Sequence, residues 1–184
     1  MKNYNKTIDF YKSLYEQDPS NVKFKNGLAI SYSRLGEINE AKGNLDEALK
    51  HYKEYNRLEQ ELYDQDSKNV NFKNGLAISY EKLGAINAAK GNLDETLKHY
   101  TEEVKLFEEL YEQDPRNVNF KNGLAISYTK LASIALQQQD ATTAINYLKQ
   151  AEQHWQTLNT NFSDYVEFSK NLANVQEILK DLQQ

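Results

Sequence analysis

The nonapeptide FKNGLAISY spans Phe24 to Tyr32, returns unchanged at Phe72 to Tyr80, and returns again at Phe120 to Tyr128. Three identical copies at one interval make the chain a repeat array, and every other stretch is read against that period. The interval is 72 − 24 = 48 and 120 − 72 = 48 residues. Leu14, Leu62 and Leu110 keep the same spacing outside the nonapeptide, and a faded fourth copy holds Leu158, Val166, Phe168, Leu172 and Ala173 in register.

Outward from the first copy, Phe24, Leu28, Tyr32 and Leu35 recur at three- and four-residue spacing, joined by Ala29 and Ile38, which is one face of a helix. The spacing predicts that helix over about 21–42. Upstream, Asp18-Pro19-Ser20-Asn21 breaks the pattern, and Ser20 or Asn21 is placed to cap the helix start. Downstream, Gly43-Asn44 is a stop signal, because glycine accepts the left-handed conformation that closes a helix. A second helix follows over about 46–65, with Leu45, Leu49, Tyr52, Tyr55, Leu58 and Leu62 as its stripe.

The next unit repeats this reading at about 69–90 and 94–113 around Gly91-Asn92. In the third unit a helix starts near Asn117, and Gln139-Asp140 replaces Gly-Asn, so a less tight turn is expected there. Its partner helix is expected over 142–157, followed by a last helix over 164–182 carrying Phe168, Leu172, Val175, Leu179 and Leu182. That last helix is expected to cap the array with a polar outer face. Residues 2–17 align with Lys50 to Gln65, so the array opens on half a unit, with Tyr4, Ile8, Tyr11 and Tyr15 as the stripe that covers the first full hairpin. Residues 1–184 therefore read as one all-α array: a half repeat at 2–17, hairpins at 21–65, 69–113 and 117–157, and the capping helix.

Composition agrees with helices. There are 7 Gly, 2 Pro and no Cys in 184 residues, with 39% hydrophobic content. Without cysteine no disulfide forms, which fits a cytoplasmic protein. No run approaches the ~18 apolar residues that span a bilayer, so no membrane partner is expected. A net charge of −5 disfavours a binder of nucleic-acid backbones, which needs a continuous cationic surface.

Several residues now carry a resemblance. Tyr32, Leu35-Gly36, Ala48 and Tyr52 stand at the spacing of the tetratricopeptide (TPR) helix-turn-helix signature. Tyr80, Leu83-Gly84 and Tyr100 match in the second unit, with Thr96 in the small-residue place, and Tyr128, Leu131-Ala132, Ala144 and Leu148 match in the third. The chain departs from the family where Asn39, Asn87 and Ala135 replace its usual Tyr, where Tyr55 and Glu103 replace its usual Ala, and in its period above 34. Each helix is longer by seven residues, close to two turns, so the apolar stripes stay in phase. The chain thus resembles the long-helix TPR variety found in large bacterial regulatory proteins. The resemblance implies a right-handed superhelical solenoid of antiparallel hairpins with a concave surface lined by the first helix of each unit.

Catalytic constellations are not found. His51 and His99 fall on the same position of successive units, where hairpin spacing of roughly 10 Å is too wide for two ligands of one zinc. No metal or cofactor is expected. Carboxylate runs such as Glu108-Glu109 read as solvated helix faces. Gly27, Gly75 and Gly123 sit inside helices at a cost of roughly 1 kcal/mol each relative to Ala, read either as close approach of a Leu or Tyr from the preceding helix or as a kink with a binding role. Trp155 shares its repeat position with Glu59 and Phe107, and reads either as a body covered by the cap helix or as an exposed recognition platform.

The expected function is a non-catalytic scaffold that holds an extended segment or a helix of a protein partner. The TPR resemblance implies that Ile30, Arg34 and Glu37 face the groove in the first unit. Ile78, Glu81 and Lys82 follow in the second, and Ile126, Thr129, Lys130 and Ser133 in the third. Lys82 and Lys130 have no acid three or four positions away on their own helix, so the row Arg34, Lys82 and Lys130 is expected to favour a peptide with acidic residues at about every third position. The alternative is a structural or oligomerisation segment of a larger multidomain protein, self-associating through the half repeat at Tyr4 and Tyr11.

Overall fold

The computed structural model describes residues 2–183, with side chains from Lys6 onward. Among the described residues the chain forms eight α-helices and no strand. They are α1 (Lys2–Gln17), α2 (Val22–Ala41), α3 (Leu45–Gln65), α4 (Val70–Ala89), α5 (Leu93–Gln113), α6 (Val118–Gln137), α7 (Ala141–Asn161) and α8 (Val166–Leu182). Two compact units divide the chain, residues 1–99 and 100–184, with the boundary inside α5.

The helix ends follow from local chemistry. Asn21, Asn69 and Asn117 each cap a helix with the side-chain oxygen, which accepts from the backbone N–H groups two and three residues on. Gly43 and Gly91 adopt φ of 76°, and the next N–H donates back to the Asn39 or Asn87 carbonyl at 2.9 Å. The third turn departs from expectation. Gln139 takes the same left-handed conformation at φ 62°, and the Asp140 N–H closes onto the Ala135 carbonyl at 2.9 Å. The turn is as tight as the other two, and a residue with a side chain holds a conformation that favours glycine. Helix α7 runs to Asn161 rather than ending near Thr157, since no proline follows it and the Thr157 and Thr160 hydroxyls donate to carbonyls one turn back.

In the first unit α1 packs on α2, α2 on α3 and α3 on α4. Ile8, Leu28, Ala29, Leu35, Tyr55 and Leu58 form one core, with Tyr11, Tyr15, Tyr32 and Ile38 at its margin. Ala48, Tyr52, Leu83 and Ile86 form a second. Asn39 and Asn87, standing where the TPR pattern has Tyr, are buried beside the turns and donate to the Leu35 and Leu83 carbonyls at 2.9 and 2.8 Å. In the second unit Leu148, Ala151, Trp155 and Leu158 of α7 pack between Ala125 and Ala132 of α6 and Phe168, Val175 and Leu179 of α8.

The half-buried interhelical glycines mark close approach. A Cβ on Gly27 would meet the Tyr11 ring at 2.3 Å, and one on Gly123 would meet the Phe107 ring at 2.6 Å. At Gly75 the covering group is the carboxylate of Glu59, not a Leu or Tyr, with Oε2 at 2.2 Å from the same point. Trp155 is covered by the last helix, with 1% of its surface exposed and Phe168 at 6.0 Å between ring centres. The outer face of α8 is polar, with Lys170, Gln176, Glu177 and Lys180 exposed.

Candidate functional site

The candidate surface is built on the first helix of each repeat. Leu28, Leu35 and their repeats point into the cores, so the positions between them are turned outward. On α2, Ile30 is 49% exposed and Arg34 is exposed; on α4, Ile78, Glu81 and Lys82 are half-buried. Glu37 joins the two helices, accepting from Arg34 Nη1 at 2.9 Å and from Lys82 Nζ at 3.2 Å. Burial alone raises the Glu37 pKa, but the hydrogen bonds and charges of Arg34 and Lys82 outweigh it and hold the carboxyl below its ordinary value.

On α6, Ile126, Thr129 and Lys130 are half-buried and Ser133 is exposed. Lys130 Nζ lies 3.1 Å from Glu103 Oε1 and 5.3 Å from the Tyr100 ring centre. Glu103 is itself buried and also accepts from the Ser127 hydroxyl at 2.7 Å. Lys82 and Lys130 have no acid one turn away on their own helices, as the sequence reads, but each finds one on another helix. Their acids come from other helices, 82 − 37 = 45 and 130 − 103 = 27 residues away, and the charge of the row is tied within the protein.

In the second unit four of the expected residues come together around a cavity of about 300 Å³. Ile126, Thr129, Lys130 and Ser133 form the α6 wall, Trp155 the α7 side, and Asn171, Asn174 and Val175 the α8 wall. The indole N–H of Trp155 is buried and has no hydrogen-bond partner among the described residues.

Lys25, Glu59, Lys73 and Glu103 are charged residues whose burial was not anticipated. Lys25 is 3% exposed and pairs with Glu61 at 3.0 Å, where Tyr15 also donates to the carboxylate. Glu59 is 4% exposed, and burial pushes its pKa up to about 7. Its alignment with Tyr11, Phe107 and Trp155 was the sequence signal that this position is a packing position. His51 and His99 stack on Tyr32 and Tyr80 at 6.0 Å, and burial lowers the pKa of each. Among the described residues no cluster of three or more His, Cys, Asp or Glu is arranged to hold a metal, and no helix is long and apolar enough to cross a membrane.

At the amino-terminal helix, Tyr11 is engaged over Gly27 and the Tyr4 side chain lies outside the described residues. Among the described side chains of α1 the exposed large apolar group is Phe10, at 60%.

No known family model matches the chain, and no curated protein matches it in sequence. Solved structures do match. BtubC (BKLC) from P. vanneervenii aligns with 98% of this chain and 68% of its own, at a TM-score of 0.65 and 17% identity. The yeast histone chaperone Hif1, described as a scaffold protein recruiting protein complexes to core histones, aligns with 99% of this chain and 95% of its own, at a TM-score of 0.63 and 12% identity. At such identities the likeness concerns the fold alone: the chain is a helical-repeat protein.

Proposed function

We propose that this protein is a non-catalytic, TPR-like interaction scaffold that holds an extended segment or a helix of a partner protein on the outward faces of its first-helix positions. The observation that supports this reading is Ile30. Ile30 is 49% exposed on a long helix, where a polar residue would be better solvated, and its copies Ile78 and Ile126 are half-buried at the same place of the repeat. The scaffold description of Hif1, a protein of similar fold, points the same way. With Arg34 and Lys82 held by Glu37, and Lys130 by Glu103, recognition rests on shape, aliphatic contact and neutral hydrogen bonding more than on net charge.

The test is a peptide array probed with the full chain, followed by titration of the bound sequences against Ile30→Asp, Ile78→Asp and, as a comparison on the second helix of a repeat, Lys98→Glu. The two isoleucine variants are expected to lose at least tenfold in affinity, about 1.4 kcal/mol, while Lys98→Glu binds as the parent does. Binding indifferent to both isoleucines refutes the reading. Self-association is the second reading, favoured by the exposed Phe10 and no longer by Tyr11. It predicts a concentration-dependent dimer in light scattering that Phe10→Ser abolishes.

A further inference from the structure

The cavity of the second unit lies where the repeats stop being alike. In the first unit the corresponding gap between α2 and α4 is bridged by Glu37 and Lys82. In the second unit the same positions, 96 residues on, are Ser133 and Ile178, and no ion pair can form between them. Two further positions change on α8. Asn171 replaces the glycine of Gly27, Gly75 and Gly123, and Asn174 replaces the isoleucine of Ile30, Ile78 and Ile126. Every other copy carries Ile where α8 carries Asn174, so the carboxamide does not follow from the packing rules of the array.

The chemistry of the cavity is mixed in a defined way. Ile126, Val175 and the Trp155 ring give it an apolar body, while Ser133, Asn171 and Asn174 supply neutral hydrogen-bonding groups. The Thr129 hydroxyl is committed to the Ala125 carbonyl at 2.9 Å, and the Lys130 ammonium to Glu103 at 3.1 Å. The Lys130 and Glu103 charges cancel, so a charged tip would be desolvated without an opposite charge to receive it. A neutral tip would not. The buried Trp155 N–H, which has no partner among the described residues, needs an acceptor. A volume of about 300 Å³ suits one side chain or a small ligand and not a folded element.

Resting on the scaffold reading above, we propose that this cavity is the specificity pocket of the surface. It takes a single uncharged side chain of the partner segment, one with an apolar body and a hydrogen-bond-accepting tip such as tyrosine. The body lies against Ile126, Val175 and Trp155, and the tip accepts from the Trp155 N–H and from the amides of α8.

Trp155 is the single tryptophan of the chain, so occupancy can be read from its fluorescence. The full chain is titrated with p-cresol, with toluene, which has the same body and no acceptor, and with 4-methylbenzoate, whose tip is charged. p-Cresol is expected to change the Trp155 emission saturably, at about fivefold lower concentration than either comparator. Ser133→Glu installs the first-unit residue at an exposed site, and Asn174→Ile installs the residue of the other three copies. Both are expected to abolish the saturable change while circular dichroism and melting stay as in the parent. Toluene or 4-methylbenzoate acting as well as p-cresol, or p-cresol acting equally on Ser133→Glu, overturns the pocket. A peptide that needs Ile30 and Ile78 while p-cresol leaves Trp155 silent overturns the pocket and leaves the scaffold standing. A normal p-cresol titration with no peptide bound anywhere overturns the scaffold and the assignment of a polypeptide occupant together.

Discussion

Replacing Glu59 by Gln is expected to change the pH dependence of stability more than stability itself. The Glu59 carboxyl is 4% exposed, packs over Gly75 from α3, and has its pKa pushed up to about 7 by burial, against an ordinary 4.5. One turn before it on the same helix is Tyr55, itself raised by burial and then by Glu59, and the Tyr55 hydroxyl donates to the Gly75 carbonyl at 3.5 Å. The folded state therefore keeps a proton that the unfolded chain releases near 4.5. Between 4.5 and about 7 the folded state binds more protons, so stability falls as pH rises through that window and levels off above it. The span is 7 − 4.5 = 2.5 in pKa, or about 3 kcal/mol at 1.36 kcal/mol for each unit. The histidines act in the opposite sense. His51, His99 and His154 are lowered by burial, so the fold takes up their protons less readily and loses stability as pH falls below their ordinary 6.5. Comparing Glu59→Gln with the parent at each pH cancels the histidines.

The assay is denaturant unfolding followed by circular dichroism from pH 4.5 to 8. The stability of Glu59→Gln minus that of the parent is expected to rise by about 3 kcal/mol across the window, roughly 6–12 °C in melting temperature for a chain of this size. Glu59→Phe, which copies the Phe107 contact over Gly123, is expected to exceed Glu59→Gln at pH 8. A difference between Glu59→Gln and the parent that stays constant with pH refutes the reasoning, because it would mean that Glu59 is ionised in the fold.

Two further substitutions probe the backbone. Gln139→Gly is expected to raise stability by about 1 kcal/mol, since Gln139 holds φ 62° without the freedom of glycine; thermal melting decides, and an unchanged or lower midpoint refutes it. Gly123→Ala is expected to lower the midpoint despite its better helix propensity, because the added Cβ falls 2.6 to 3.0 Å from three atoms of the Phe107 ring and overpacking costs about 1–3 kcal/mol. A raised midpoint would mean that the ring is free to move aside.

What was legible in the sequence, and what was not, divides by the range of the interactions involved. Helix starts at Asn21, Asn69 and Asn117 and turns at Gly43 and Gly91 depend on a few neighbouring residues, and those ends agree with the local reading. Gln139 broke that reading, because its left-handed backbone is imposed by helices already packed on either side and not by its own preference. The partners of Lys82 and Lys130 were missed for a related reason. A search within one helix cannot reach Glu37 or Glu103, which adjoin the lysines only after the repeats have stacked. Alignment of the repeats on one another carries such long-range information, since residues 48 apart occupy equivalent places. It puts Glu59 in line with Phe107 and Trp155, and it sets Ser133, Asn171 and Asn174 apart from their counterparts. Identical positions such as Leu28, Leu76 and Leu124 are buried and hold the array together. On the scaffold reading proposed above, near-identical units would distinguish one stretch of a partner from another at the positions where the units differ. Those positions are where the charge bridge of the first unit is missing and the cavity beside Trp155 opens.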